Sequence, residues 1–428
     1  MPESYLRRAL RRFAIDVTPL RESHDWRLLF AGQTVMGLGE QIRMVAVPYL
    51  VFLITHSSFA VGLASLAQFV PTIFLSFVGG SLADRMERRK LLIATQALLT
   101  LTSALLSVVT LHGRPPLWFL FLIVPAAAGV QSVENPARRA VLPGLVGRAQ
   151  VSNALALEQV TWNLGAVLGP AVGGLMIARL GVAAALVFST STLLFALAVL
   201  LPVAPMPVES DPARPMKSGL ASIIEGVTFL KGKPAILSTF LIDINAMVFG
   251  FPSALMPALA TQVFRVGPAG LGLLYAAPGA GALLGALVTG WVSRVRRQGR
   301  AVVFAVCIWG GALIAFGFLT RLFWLALVML AVAGAADMFS AVFRSTILQL
   351  GVPDYLRGRL SAVHFLVVTS GPRLGDMEAG SVAALWGTQF SVISGGICSV
   401  IGAIVLAAAI PAFWRYDSRT SPEIVDVR

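Results

Sequence analysis

The sequence predicts an all-α membrane protein: about twelve transmembrane helices in two similar six-helix halves. Composition is the first reason. Of 428 residues, 57% are hydrophobic and only 12% are charged, with a mean hydropathy of +0.82, well above the roughly 45 to 50% apolar usage of soluble domains. The second is the run of apolar stretches of about twenty residues, enough to cross a hydrocarbon core of about 30 Å as helix, which recur from Leu28 to the region of Pro411. A β-barrel would instead show short segments of alternating polarity. The third is an internal repeat. A shift of 210 residues lays Gly62 on Gly272, Leu63 on Leu273, Val78 on Val288, Gly80 on Gly290 and Pro143 on Pro353, so the second set of spans reads as a copy of the first.

In chain order, a basic tail (1–27) precedes the first half (28–201). Its spans are predicted at Leu28 to Ile54, Ala60 to Leu82, Leu91 to Leu111, Leu117 to Ala137, Leu155 to Ala178 and Ala183 to Leu201. A polar linker (202–234) follows, broken by Pro202, Pro205, Pro207, Pro212 and Pro215, with Gly219 to Leu230 able to form an amphipathic surface helix. The second half (235–413) carries spans at Ala235 to Ala260, Leu271 to Val292, Ala301 to Leu319, Leu322 to Phe343, Ser361 to Leu385 and Phe390 to Phe413. A short tail (414–428) ends the chain.

The formal net charge of +13 is spread in short clusters between spans, not gathered on one soluble face, so it reads as topology and not as a nucleic-acid footprint. One side of the membrane collects the basic clusters: Arg7 to Arg12, Arg85 to Lys90, Arg138 to Arg148, Arg294 to Arg300, and Arg344 with Arg357 and Arg359. The other side holds only Arg114, Arg179, Arg265 and Arg321. The positive-inside rule then places both termini in the cytoplasm, and the protein is expected in the cytoplasmic (inner) membrane of a bacterium. Met1 to Arg27 lacks the apolar core of a signal peptide. Cys307 and Cys398 lie in apolar spans, with no metal-ligand spacing and no disulfide framework.

Two motifs add a resemblance. After the second span come Gly80, Asp84, Arg85, Arg88 and Arg89; in the fifth, Gly165, Gly169, Pro170, Gly173 and Gly174. The first resembles the signature loop of the major facilitator superfamily, with Glu87 where glycine is usual, and the second resembles that superfamily's antiporter motif, with Ala156 where a further glycine is expected. Leu117 to Val133 contains no basic residue, so the membrane-embedded helix-four arginine of many members is missing here. Resemblance covers nearly the whole chain. Its nearest flavour, carried by the segments Leu273 to Gly285 and Leu348 to Arg359, is the enterobactin-exporter-like and drug–proton antiporter branch. That likeness implies a major facilitator fold and export of a siderophore, drug or other amphipathic metabolite, coupled to proton entry.

Physical chemistry gives the same motifs work to do. Asp84 at a helix end can accept from another helix's N-terminal amides, latching a cytoplasmic gate, while the arginines bind carboxylates or lipid phosphates; the alternative is charge that only sets topology. Small residues in the fifth span let helices approach closely, which serves either export or plain packing. Charges inside spans cost roughly 2.5 to 3.5 kcal/mol each on insertion scales and need a partner or water. Glu40 with Arg43 lies in span one, Asp243 with Asn245 in span seven, Asp337 in span ten, and Arg373, Asp376 and Glu378 in span eleven. Glu40, Asp243, Asp337 and Asp376 are the candidate proton-coupling acids, with Arg43, Arg373 and Glu378 as charge partners; permanent ion pairs that fix packing are the structural alternative. Asn245, Phe249, Trp162 and Tyr275 are candidate cavity residues, or ordinary packing.

The expected function is secondary export of a small molecule by alternating access, in antiport with protons and without any bound cofactor. Partners are the substrate, protons and the bilayer, with no nucleic acid, and a monomer suffices. No nucleophile, zinc-helix or phosphate-loop motif supports enzymatic chemistry or ATP hydrolysis. Import, facilitated passage, or a non-transporting sensor or scaffold are the alternatives.

Overall fold

The computed structural model describes residues 17–205, 220–250 and 252–418. The basic cluster Arg7 to Arg12, most of the linker and the last ten residues lie outside them, as do the side chains of Gly80, Asp84 and Arg85 within their helix.

The apolar runs form helices that cross back and forth. In the first half these are α1 (His24–Thr55), α2 (Ser58–Ala67, resuming after Gln68 as Phe69–Arg85), α3 (Arg88–Leu111) and α4 (Leu117–Val146). A continuous stretch, Val151–Leu200, is broken at Gly181, whose φ of 86° only glycine adopts without strain. It therefore makes two arms, α5 (151–180) and α6 (182–200). The second half has α7 (Pro234–Phe249, extended by short turns to Val263), α8 (Gly267–Leu287), α9 (Gln298–Phe318), α10 (Phe323–Gly351), α11 (Asp354–Trp386) and α12 (Thr388–Ala409). Ten described helices are long and apolar enough to span a bilayer. That number counts the two arms around Gly181 once and omits α11, which carries Arg373, Asp376 and Glu378. Twelve crossings in two groups of six are consistent with it.

Three predicted boundaries move by about two helical turns, one of them the start of α11, at Asp354 where span eleven was predicted from Ser361. Spans four and ten were expected to stop at Ala137 and Phe343, where polar residues begin; α4 and α10 instead continue to Val146 and Gly351. Helix persists there because the side chains find partners inside the protein. The linker segment predicted as amphipathic is a helix, Leu220–Lys231, docked on α11 through a Glu225–Arg359 ion pair.

With helices alternating in direction, the described chain ends near 17 and 418 and the described linker ends near 205 and 220 lie at one end, here called the terminal end. Asp25 accepts from the Ala204 amide (3.3 Å), and the Ser418 amide donates to the Arg296 carbonyl (3.0 Å). The opposite, distal end holds the turns near 56, 181, 265 and 387.

The hydrophobic core is shared unequally between these ends. Toward the distal end one cluster spans both halves, joining Ile42 to Phe52 of α1 with Leu255, Met256, Leu271 and Leu274 from α7 and α8. At the terminal end no cluster among the described residues joins the halves: this one continues only through the second half, to Val302, Phe413 and Tyr416. Leu91, Val133, Val141 and Leu200 belong to the first half alone, and Ile236, Phe240, Val352 and Leu360 to the second. Burial thus ties the halves together distally and leaves each half with its own core terminally.

Close helix approach within the second half depends on missing side chains. A Cβ at Gly281 would overlap the Ala331 carbonyl of α10, whereas one at Gly165 would meet open space. Gly281→Val should therefore cost about 1–3 kcal/mol through overpacking and lower the thermal midpoint of the purified protein, with Gly165→Ala near neutral. Equal midpoints for the two variants would contradict this packing.

Candidate functional site

Two buried ionic clusters and one seam between the halves stand out. In the second half, Asp243 of α7 and Arg344 of α10 form an ion pair at 2.8 Å, with side chains only 1% and 6% exposed. Asp337, two turns earlier on α10 and 43% exposed, lies 3.9 Å from the same guanidinium. Ser340 accepts from Arg344 at 2.9 Å, and the ring of His364 on α11 meets Phe240 edge-on at 6.1 Å, one turn before Asp243. The cluster is not saturated. Asp243 Oδ2 and Arg344 Nε have no hydrogen-bond partner among the described residues, so one arginine serves two carboxylates and leaves acceptor capacity unused.

The first half buries its own charges. Glu40 and Arg43 pair along α1 through two hydrogen bonds of 2.6 and 3.0 Å. They share a small void with Gln131, Thr102 and Ser103. On α4, Glu134 pairs with Arg138, again one turn apart, beside Gln33 of α1 and Gln96 of α3.

Between the halves, at the distal end, α11 faces α2. Asp376 is buried and accepts from Ser65 Oγ across the seam at 2.5 Å, from the Ala254 amide at 2.9 Å and from Ser253 Oγ. Arg373 donates across the same seam to Thr72 Oγ1 (2.6 Å) and, at 3.4 Å, to the Gln68 carbonyl. A second seam joins α5 to α8: a Cβ on Gly174 would sit 2.6 Å from both the Gly272 Cα and the Pro268 carbonyl. Backbones meet there directly.

Several expected placements are corrected. Arg373 and Asp376, spaced to pair with each other, are instead held by separate partners, because the seam offers each a better one. Glu378 is half-buried and has no ion pair among the described residues. Asn245 donates to the Ser399 carbonyl at 2.9 Å, which makes it a strut between α7 and α12. Tyr275 is buried and donates to the Ser253 carbonyl at 2.8 Å, bracing the Asp376 pocket from α8. Phe249 is half-buried at the end of α7, its carbonyl facing Gly395. Trp162, 58% exposed, stands one turn before Ala166, whose carbonyl lies against Gly279 of α8.

In the loop motif, Arg89 donates to the Leu201 carbonyl at 2.6 Å and Lys90 pairs with Glu87 at 3.1 Å, which ties α3 to the end of α6. In the fifth-span motif, Gly169 and Gly173 face Gln41 and Ile42 of α1, and Gly174 faces α8. Thus the motif packs α5 within its own half on one side and against the other half on the next.

Three residues of these clusters escape the sequence reading. Glu134 goes unremarked inside span four, and Arg344 and Arg138 count there as cytoplasmic topology charges; both arginines lie inside helices and pair with buried acids. The repeat carried the missing signal. The same 210-residue shift lays Glu134 on Arg344 and Gln33 on Asp243, marking one level of each half as polar.

With this geometry in place, the comparisons are informative. A major facilitator family model described as transmembrane secretion effector matches residues 15–424. The enterobactin exporter EntS of Escherichia coli (strain K12) is 27% identical over 419 residues, 96% of this chain and 97% of that protein. Among solved structures, a variant of the nucleoside transporter NupG superposes with a TM-score of 0.76 at 12% identity, covering 90% of this chain and 99% of that one. An inward-facing bacterial homologue of the iron transporter ferroportin gives 0.68 at 15%, covering 91% and 98%.

Neutralising one member of the Asp243–Arg344 pair leaves the other charge buried alone. Asp243→Asn or Arg344→Gln singly should cost about 3–5 kcal/mol, read as a lower unfolding midpoint. The double variant should regain most of that loss. Simple additivity of the two effects would show that the pair is not coupled.

Proposed function

The chain belongs to the transmembrane secretion effector family of major facilitator proteins, and from that premise we propose that this secondary transporter is a proton-coupled exporter of a small amphipathic molecule. The single observation that carries this reading is the unequal closure of the two halves. They share a core and two seams at the distal end, and at the terminal end they keep separate cores. With the termini in the cytoplasm, as the distribution of basic residues supports, the described state opens toward the cytoplasm, where an exporter loads.

The mechanism is alternating access by rocking of two rigid halves around a central site. In the second half Arg344 holds Asp243 and Asp337 together. A proton arriving on either acid weakens its hold on the guanidinium, and a substrate displacing the proton restores it. Glu40 and Asp376 are the other acids able to take part, Glu40 beside the small void in the first half and Asp376 on the seam. The EntS relative's name gives enterobactin as its cargo, which supports a catecholate siderophore as the first substrate to try. Because both halves sit in one chain, a monomer in the inner membrane supplies the whole path, and the proton gradient supplies the energy without a cofactor or covalent chemistry.

The test is uptake of labelled enterobactin by everted membrane vesicles energised to an acid interior. Uptake should require the protein, collapse with a protonophore, and fall about tenfold or more in initial rate in Asp243→Asn. Glu40→Gln, Asp337→Asn and Asp376→Asn should be assayed one at a time alongside it. If none of the four neutralisations impairs pH-driven uptake, proton coupling through these acids is wrong.

A further inference from the structure

The distal seam holds two opposite charges that sit one helical turn apart on the same helix and yet do not pair. Asp376 as a carboxylate takes three donors, one of them Ser65 from the other half. Arg373 has no carboxylate within ion-pair distance among the described residues, and it spends its Nη1 on Thr72 and the Gln68 carbonyl, both on α2 of the other half. Thr72 is buried. Every cross-half polar contact of these two side chains therefore ends on α2.

Opening the distal end means drawing α2 away from α11. Asp376 then loses Ser65, and Arg373 loses both of its acceptors, at a depth where stranded charge is expensive. The i, i+3 spacing on α11 offers a remedy at no cost in sequence. The protein contains its own example: Glu40 and Arg43, at the same spacing on α1, pair through two hydrogen bonds. We propose that Arg373 and Asp376 exchange partners during transport: bound to α2 when the distal end is closed, and bound to each other when it is open.

This exchange rests on the alternating-access reading, and it gives each charge a partner in both end states. The gate then does not have to strand a charge in order to open. Ser65 and Thr72, which carry no charge, are left facing the opened cleft, where water can satisfy a hydroxyl.

Spin labels report the gate directly. With Cys307 and Cys398 replaced by serine, cysteines at the exposed positions Phe59 and Leu385 place labels on the distal ends of α2 and α11 in the full-length protein in lipid nanodiscs. Ser65→Ala with Thr72→Val removes the two cross-half hydroxyl partners and leaves the Gln68 carbonyl in place. It should raise the ratio of long to short distances about tenfold or more, because each of the two lost hydrogen bonds to a charged group is worth about that factor by itself. Adding Arg373→Gln to that background removes the new pair and should take back most of the gain. Exchanging the charges, Arg373→Asp with Asp376→Arg, keeps the i, i+3 pair and should retain the long distance. This arm guards against Arg373→Gln acting by loss of fold. An unchanged or larger long-distance fraction on adding Arg373→Gln overturns the exchange while leaving alternating access intact. A single short distance in the parent and in every variant overturns both.

Discussion

The structure depends on one constraint: a charge placed inside a bilayer must find its partner within the protein. Arg344 and Asp243 meet it with a 2.8 Å ion pair between α10 and α7. Glu134 and Arg138, and Glu40 and Arg43, meet it along single helices. Pairing of this kind lets α4 and α10 continue as helix well past the point where hydropathy alone would end them. It also turns residues that look like loop charges into the polar interior of each half.

How much of this the sequence discloses follows from the distances over which each interaction acts. Composition and apolar periodicity are local properties, and they reveal the helices, the two halves and the linker helix. Charges embedded in clearly apolar surroundings, such as Glu40, Asp243 and Asp376, are visible for the same reason. Arg138 and Arg344 are not, because each stands at the edge of an apolar run, where a topology charge and a buried one read alike. Their partners decide the matter, and Asp243 is 101 positions away from Arg344. The seam is harder still. Nothing near Arg373 announces Thr72, and helical spacing points instead to Asp376, the partner it does not take in this state.

The proposed transport cycle places different demands on contacts within the halves and contacts between them. A half that rocks as a rigid body must keep its internal bonds through the cycle, and breaking a buried ion pair costs about 3–5 kcal/mol. Contacts between halves must be made and lost at each turnover, so the two end states can differ by only a few kcal/mol. Strong bonds belong inside a half and weak ones at its boundary.

The molecule divides its interactions in that way. All the buried ion pairs named above lie within one half. Across the seam stand hydroxyls, a carbonyl and the bare backbones of Gly174 and Gly272. A single hydrogen bond of this kind, to a charged group, is worth about 1.5–3 kcal/mol net, less than breaking a buried ion pair costs, and glycine backbones in contact separate without leaving a side chain stranded. Among the described residues the only charges on the seam are Arg373 and Asp376, and their spacing gives them each other when α2 withdraws. Glycines in the fifth span thus matter less for bending that helix than for keeping the boundary between halves free of anything that would be costly to release. On this view the antiporter-like motif and the charges of α11 answer the same requirement, on two different seams, by opposite means: one by removing side chains, the other by supplying a second partner.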